Sequence, residues 1–329
     1  MKPIFKILAD KTDITDMLTT RLVSINITDE TGLISDKAEI LLDDRDDTLE
    51  IPPRGAELEI SIGYEHKGLY KMGLYVVDEV ECSGMPRQMR ITAKASNTKT
   101  KDTFSAMKAP KSRSWHKHTL VGIIEKIAQE HAFEKTLVDP VFEQIYLDHI
   151  DQTDESDIAF LQRLAQDFGA FLKPANGLLI FSRPKRAVSL SGKPMQLIPL
   201  ADEDISTFSM MLAERGKYGK VIAKWHNFQT GKEEKISVGD AEPPFSMRHT
   251  YAGKERAEKA AQAKLEEVMN GEKKLDLTVV GNPIISAESR ISISNLSRKI
   301  NGEWIAVSVS HQFASEGYTC QLTCEKPIA

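Results

Sequence analysis

The first part of the chain, to about residue 105, alternates apolar and polar residues with a period of two. This is the period of a β-strand with one buried face. Turn-forming clusters such as Asp43 to Asp47 and Pro52 to Gly55 separate the apolar runs. Short strands at this spacing predict an antiparallel barrel or sandwich. The residues predicted to face inward are Val23, Ile25, Ile27, Ala38, Ile40, Leu42, Leu58, Ile60, Ile62, Tyr64, Met89, Ile91, Ala93 and Ala95.

Residues 106–190 change to a helical period of 3.6. One helix is predicted after Thr119, which is placed to cap its N terminus. A second is predicted to begin in residues 153–156, where hydroxyls and the acids Asp154 and Glu155 can accept free backbone N–H groups, and to end at Gly169. A hairpin turning at Asn176-Gly177 follows. The predicted buried faces are Leu120, Ile123, Ile124, Ile127 and His131, then Ile158, Leu161, Leu164, Ala165 and Phe168.

Residues 191–329 return to a period of two, interrupted by one Ala-rich helix from Lys254 to about Met269. Its apolar face consists of Ala257, Ala261, Leu265 and Val268, and we expect this face to pack into a core. Asn270-Gly271 is predicted to end it, because Gly accepts the left-handed conformation of many helix ends. In the last strand, Tyr318, Cys320, Leu322 and Cys324 share one face. The two cysteines are therefore predicted to be core residues rather than metal ligands.

Together these patterns predict an α+β fold that is mainly β. Two antiparallel barrel-like β domains, residues 1–105 and 191–329, flank a small α/β insert of residues 106–190. The second β domain contains the Ala-rich helix.

Composition narrows the function without naming it. The chain has 329 residues, 41% hydrophobic and 28% charged residues, and a net charge of −5, which are ordinary values for a globular protein and give no basic footprint for nucleic acid. Three cysteines without a close framework indicate folding in a reducing compartment. No signal peptide and no apolar run of membrane-spanning length is recognised, so a soluble protein without membrane insertion is expected.

Histidines and acids offer weak candidates for chemistry. His116, His118 and His131 could bind zinc, but no carboxylate or thiolate partner is evident and solvated loop histidines are the favoured interpretation. The acidic run Asp43 to Asp47 lacks the Gly and later Glu of a calcium loop. Asp151, Asp154 and Glu155 suggest paired carboxylates for glycoside cleavage, but helix capping already explains the latter two. We therefore predict no catalytic, cofactor-binding or metal site, and no enzyme.

One basic stretch mixes cations with an aromatic residue. Its members are Lys108, Lys111, Arg113, Trp115 and Lys117. Contact with nucleic acid is one interpretation. An exposed connector is the simpler one.

Two passages resemble a known family. Residues 152–169 with 177–181 look like the segment shared by phage hub proteins and the VgrG spikes of type VI secretion. Residues 249–264, 281–283 and 304–311 are similar to the late control protein D family of contractile-tailed phages. The resemblance covers the middle and last zones, and the first zone fits by its layout.

The resemblance implies a baseplate hub: a homotrimer whose two β domains per chain form a pseudo-sixfold ring joining the sixfold tail tube to the threefold spike. Implied partners are further copies of the chain, the spike protein, the tube and the baseplate wedge proteins, with DNA passing transiently through the ring. The implied location is the virion tail baseplate, after assembly in the host bacterial cytoplasm. Two alternatives stay open: a nucleic-acid-binding late-gene regulator and a cell-wall hydrolase.

Overall fold

The chain forms two compact units in a computed structural model that describes residues 2–31, 36–95, 106–175, 177–184, 197–212, 218–270 and 273–327. The first unit comprises residues 1–99, 196–209 and 275–324, and the second comprises residues 100–195, 210–274 and 325–329. The predicted domains 1–105, 106–190 and 191–329 differ from these units, because the third zone is divided between both. The boundaries after residues 105 and 190 lie at or within segments outside the described residues.

Strands predominate over helices, which confirms the α+β, mainly β class. The strands are β1 (Pro3–Ala9), β2 (Thr12–Asp13), β3 (Leu22–Glu30), β4 (Lys37–Asp43), β5 (Glu57–Tyr64), β6 (Gly68–Ser83), β7 (Gln88–Ala95), β8 (Pro110–Thr119), β9 (Lys135–Val138), β10 (Tyr146–Ser156), β11 (Phe171–Ala175), β12 (Leu178–Ser182), β13 (Leu197–Leu200), β14 (Ile205–Leu212), β15 (Lys220–Asn227), β16 (Lys232–Gly239), β17 (Pro244–Tyr251), β18 (Lys273–Val280), β19 (Arg290–Ile293), β20 (Gly302–Ala314) and β21 (Gly317–Glu325). The helices are α1 (Thr15–Thr19), α2 (Leu120–Glu130), α3 (Asp157–Asp167) and α4 (Lys254–Asn270), with 3-10 turns at Pro140–Phe142 and Asp202–Asp204.

One sheet organises the first unit. Among the described residues it has 13 strands, and its main order runs β14-β18-β21-β20-β3-β4-β7-β6-β5-β1-β2. Strands from the two ends of the chain meet where β20 pairs antiparallel with β3, with His311 opposite Ile27. This pairing explains why β18, β20 and β21 belong to the same unit as the N-terminal strands.

The alternation in the sequence matches the core of this unit. Ile25, Ile40 and Ile60 have at most 2% of their surface exposed, and Cys320 and Cys324 have none. The prediction that both cysteines are core residues is confirmed. Cys82, near the end of β6, is exposed.

The second unit contains three small sheets. β8 pairs with β10, β9 and β11 flank β12, and β16 and β17 flank β15. Helix α4 packs on the last of these sheets, where Ala257, Ala261 and Leu265 join Val221 and Ala223 in one buried cluster. Core packing of the Ala-rich helix is thereby confirmed, but its core is that of the second unit.

Some of the predicted helix caps in the second unit are present and others are not. Thr119 and Ser156 cap α2 and α3 by accepting backbone N–H groups. Gly169, with a φ of 62°, follows the end of α3. Asp154 and Glu155 do not cap α3, because β10 continues through Ser156 and Glu155 binds the Arg163 guanidinium instead.

The predicted turn residue Asn176 and the predicted helix stop Gly271 lie outside the described residues. Within the described ranges, no helix combines the length and apolarity needed to cross a bilayer.

Candidate assembly surface

Strand β14 presents an apolar edge. In the described part of the chain it ends the strand order of the large sheet. Phe208 is 50% exposed, Met211 61% and Leu212 60%. An edge strand carries backbone N–H and C=O groups ready to pair, and apolar side chains beside them favour contact with another chain. We therefore call β14 the joining edge.

A shallow polar groove of about 530 Å³ lies beside the joining edge, on the solvent face of the same sheet. Most of its lining side chains end in a hydroxyl or an amide. The lining residues are Thr207, Phe208, Ser209, Asp276, Leu277, Thr278, Ser308, Ser310, Gln321, Leu322 and Thr323. The lining contains one carboxylate and no Lys, Arg or His, so this face lacks the charges that hold a nucleic-acid backbone.

Hydrogen bonds between neighbouring strands fix the short side chains of the groove. Ser310 Oγ donates to Asn26 Oδ1 at 2.6 Å. Thr323 Oγ1 donates to Asp276 Oδ1 at 2.8 Å. These contacts link β20 with β3 and β21 with β18 across the polar face.

A buried polar cluster supports the same strands from the core side. His311 Nδ1 lies 2.7 Å from the Tyr318 hydroxyl and 3.2 Å from Cys320 Sγ. The Tyr64 hydroxyl donates to the carbonyl of Gly281 at 2.8 Å. A Cβ on Gly281 would lie 2.3 Å from the Tyr318 ring, so this close approach requires glycine.

Burial keeps this cluster uncharged. It lowers the pKa of His311 to about 4 and raises the pKa of Cys320 to about 11. Burial also raises the pKa of Tyr318 far above its ordinary value. The cluster therefore acts as a neutral hydrogen-bonded support rather than as a reactive Cys–His pair. Sequence reasoning placed Tyr318 and Cys320 in the core but missed His311, which continues the alternation of β20 from Val309.

The basic stretch of the second unit folds around a buried acid. Asp157 is fully buried and accepts hydrogen bonds from Lys111 Nζ at 2.5 Å and Arg113 Nη2 at 2.6 Å. His131 Nε2 at 2.7 Å and Gln152 Nε2 at 2.8 Å complete its shell. We call these five residues the Asp157 network.

Burial alone would raise the pKa of Asp157, but the hydrogen bonds from Lys111, Gln152 and His131 outweigh it and lower the pKa to about 2. Asp157 is therefore ionised at neutral pH. No sequence pattern marks Asp157 as buried, since an acid in the first turn of a helix is ordinarily a surface residue favoured by the helix dipole.

The expectation of a connector at this stretch is wrong, although Lys108 and Lys117 are exposed as expected. Residues 110–119 are strand β8, and Trp115 is only 3% exposed and stacks on Phe160 at 6.2 Å between ring centroids. Lys111 and Arg113 also pair with Glu130. Two of the cations considered for nucleic acid are thus already bound to carboxylates.

The three candidate zinc histidines do not come together. His116 and His118 lie on β8 rather than in a loop, and His118 Nδ1 lies 2.7 Å from the His116 carbonyl oxygen. His131 belongs to the Asp157 network. His116 instead contacts His149 of β10. The Nδ1 atoms of the two histidines are 3.0 Å apart. His149 follows no recognisable motif, so only strand pairing reveals this contact.

The acidic run 43–47 folds as a turn whose carboxylates have protein partners. Asp43 binds Arg45, Asp46 binds Arg21 through both oxygens, and Asp47 binds Arg87. Asp44 accepts the backbone N–H groups of Thr48 and Leu49. Hydrogen bonds from Arg45 to Asp43 and from Arg21 to Asp46 hold the pKa values of these carboxyls below their ordinary values.

The carboxylates considered for glycoside cleavage point to separate partners. Asp151 accepts from Ser114 Oγ at 2.5 Å and lies 3.0 Å from His149 Nε2. Glu155 binds Arg163. The backbone N–H of Asp154 donates to Ser112 Oγ at 3.0 Å.

Comparison with known proteins gives these surfaces a context. Residues 104–317 match the family described as phage tail baseplate hub (GPD). The probable baseplate hub protein of Escherichia phage 186 is 28% identical over 372 aligned positions, which cover 100% of this chain and 94% of that protein.

Two solved structures share the fold. The 43 kDa tail protein of prophage MuSo2 from Shewanella oneidensis has a TM-score of 0.71 at 15% identity, over 99% of each chain. A chain of the Francisella PdpA–VgrG complex has a TM-score of 0.52 at 8% identity, over 99% of this chain and 58% of that one. At such identities the likeness concerns the fold alone.

Proposed function

The chain belongs to the phage tail baseplate hub family, and we propose that three copies of it form the central ring of a contractile tail baseplate. It is a structural hub protein. In the ring, each chain occupies two of six quasi-equivalent positions, which adapts a sixfold tail tube to a threefold spike. The hub is assembled in the host bacterial cytoplasm, and its further partners are the spike, tube and wedge proteins.

The layout of the large sheet supports the sixfold count. Strands β1 to β7 come from the N-terminal part of the chain, and β13, β14 and β18 to β21 come from the C-terminal part. Each chain therefore supplies two successive sheet segments, joined where β3 pairs with β20. Three such chains supply three times two segments around the ring.

The joining edge is the observation that carries the proposal. A sheet that begins at β14 and ends at β2 has two different ends, and a head-to-tail contact between copies buries both ends only if the ring closes. Phe208, Met211 and Leu212 provide apolar surface for this contact. The polar groove beside them then lines the channel, where its lack of cations lets DNA pass without being held.

Mass measurement tests the ring. We expect light scattering to give three times the chain mass of 36.8 kDa, either for the chain alone or after addition of its spike. Phe208→Lys should weaken this assembly because it places a charge in the apolar contact. Phe228→Lys is the matched control, since Phe228 is 76% exposed between β15 and β16, which belong to a different sheet from β14.

A monomer with and without the spike overturns the proposal. So does an assembly that Phe208→Lys leaves as stable as Phe228→Lys does.

We also propose that the protein acts through interfaces and not through catalysis or gene regulation. Lys111 and Arg113 are engaged by carboxylates, which weakens the case for a nucleic-acid-binding regulator. The carboxylates of Asp151 and Glu155 bind different side chains, which weakens the case for a hydrolase. Sequence-selective gel shifts at physiological salt, or release of peptidoglycan by the purified protein, would restore those alternatives.

A further inference from the structure

We propose that His116 and His149 form a binding site for a divalent transition-metal ion on the second unit. The two residues are direct cross-strand partners in the pairing of β8 with β10. Both are exposed, so an ion can reach them from solvent. This inference is independent of the ring proposed above.

The separation of the two imidazoles fits the coordination of one ion. Their Nδ1 atoms are 3.0 Å apart. Two nitrogens bound to a metal at about 2.1 Å are separated by about 3.0 Å when the angle between them is near 90°, and by about 3.4 Å in a tetrahedral site. A small rotation of the rings thus directs both lone pairs at a shared ion.

A neighbouring carboxylate prepares His149 for this role. His149 Nε2 lies 3.0 Å from Asp151 Oδ2, and Ser114 Oγ donates to the other oxygen of Asp151 at 2.5 Å. A carboxylate oxygen accepts hydrogen bonds, so in this contact His149 Nε2 carries the proton. The lone pair of a neutral His149 is then on Nδ1, facing His116. A carboxylate on the far nitrogen is the usual support of a metal-binding histidine.

The strand register brings these four residues into one block. Ser114 is opposite Asp151, and His116 is opposite His149, two positions along each strand. Residues two apart share a face of a sheet. The ligands and their support therefore come from strand geometry and need no rearrangement of the backbone.

The chemistry favours a borderline ion such as Zn²⁺, Ni²⁺ or Cu²⁺, which imidazole binds well. In the described residues, no cluster of three or more His, Cys, Asp or Glu side chains is suited to a metal. Water must therefore fill the remaining positions, which makes the ion exchangeable. By joining opposite residues, the ion would cross-link β8 and β10 and stabilise the second unit.

Calorimetric titration of the untagged full-length chain with ZnCl₂ and with NiCl₂ tests the site. We expect one saturable site per chain, lost in His116→Asn and in His149→Asn. Asp151→Asn should weaken the affinity about 10- to 100-fold because it removes the support of His149. His66→Asn is the matched control, since His66 is an exposed histidine of the first unit.

Thermal unfolding provides a second readout on the same proteins. The ion should raise the melting temperature of the wild type and of His66→Asn, but not of the double variant His116→Asn/His149→Asn. The substituted residues are exposed, and circular dichroism checks that each variant is folded. The site is refuted if the wild type binds no ion up to about 1 mM. It is also refuted if the double variant binds as the wild type does.

Discussion

Replacing Asp157 by asparagine removes the only negative charge at the centre of the Asp157 network and changes little else in shape. Asparagine keeps the volume and one carbonyl oxygen, so it fills the site and accepts part of the hydrogen bonds. It leaves Lys111 and Arg113, whose side chains are 34% and 24% exposed, with a neutral group in place of their buried carboxylate partner, while Glu130 remains. The free energy of unfolding of the second unit should therefore fall.

Burial decides the size of the loss. Asp157 has no exposed side-chain surface, and removing one partner of a buried ion pair costs about 3–5 kcal/mol. Its position at the start of α3 adds about 0.3–1 kcal/mol through the helix dipole. Glu130→Gln is the matched control, because Glu130 binds the same two cations but is 31% exposed, where such pairs contribute about 0–1 kcal/mol.

Hydrogen exchange of the α3 amides, followed by mass spectrometry, measures the loss of stability at this helix. A local measurement is needed because a chain of two units need not unfold in one step. At about 1.36 kcal/mol per decade, exchange of the protected α3 amides should accelerate roughly 10²- to 10⁴-fold in Asp157→Asn. In Glu130→Gln it should accelerate less than about 10-fold. Equal acceleration in the two variants would refute the account of Asp157 as a buried anchor.

The stability of the wild type should depend on pH through the ionisation of Asp157. The pKa of Asp157 in the folded protein, about 2, lies below its ordinary value of 3.8. Its contribution is therefore present above pH 3.8 and is lost as the pH falls from there through about 2. Asp157→Asn should lack this part of the acid dependence.

Three further variants and one control test other parts of the structure by urea unfolding. Gly281→Ala should destabilise the first unit by about 1–3 kcal/mol, because its Cβ would press on the Tyr318 ring. Gly253→Ala, where a Cβ meets open space, should cost less, through a weaker N-cap of α4 alone. The pKa of His311 is lowered from 6.5 to about 4, so wild-type stability should fall as the pH drops through that window, and His311→Gln should not show this fall. Ser156→Ala should cost about 1 kcal/mol by removing the cap of α3, and an unchanged midpoint would contradict the capping.

Much of the local structure could be predicted from the sequence. Helix α2 begins after the predicted cap Thr119, and helix α4 buries the predicted face that contains Ala257 and Leu265. The strands around Ile40 and Cys320 bury the predicted alternate residues. These features depend on neighbours a few residues away, and a repeat of two or 3.6 residues is enough to predict them.

The pairing of distant elements could not be read in this way. The N-terminal and C-terminal strands form one sheet because β3 pairs with β20, although about 280 residues of sequence separate Thr28 from its partner Ser310. Many strands in this chain have one apolar face, so alternation alone does not select a partner. Alternation therefore could not show that one compact unit draws strands from both ends of the chain.

The sequence by itself determined where the main helices and many of the strands of this hub protein lie, which of their faces are apolar, and which family it resembles. Only the tertiary structure decided what the polar residues do: Lys111 and Arg113 became partners of a buried Asp157, His116 met His149, and β14 became an apolar edge. The physical reason is how far apart in the sequence the interacting residues lie. Periodicity records the local geometry of the backbone, whereas the strength of an ion pair or of an edge contact depends on burial and on distances between residues far apart in sequence.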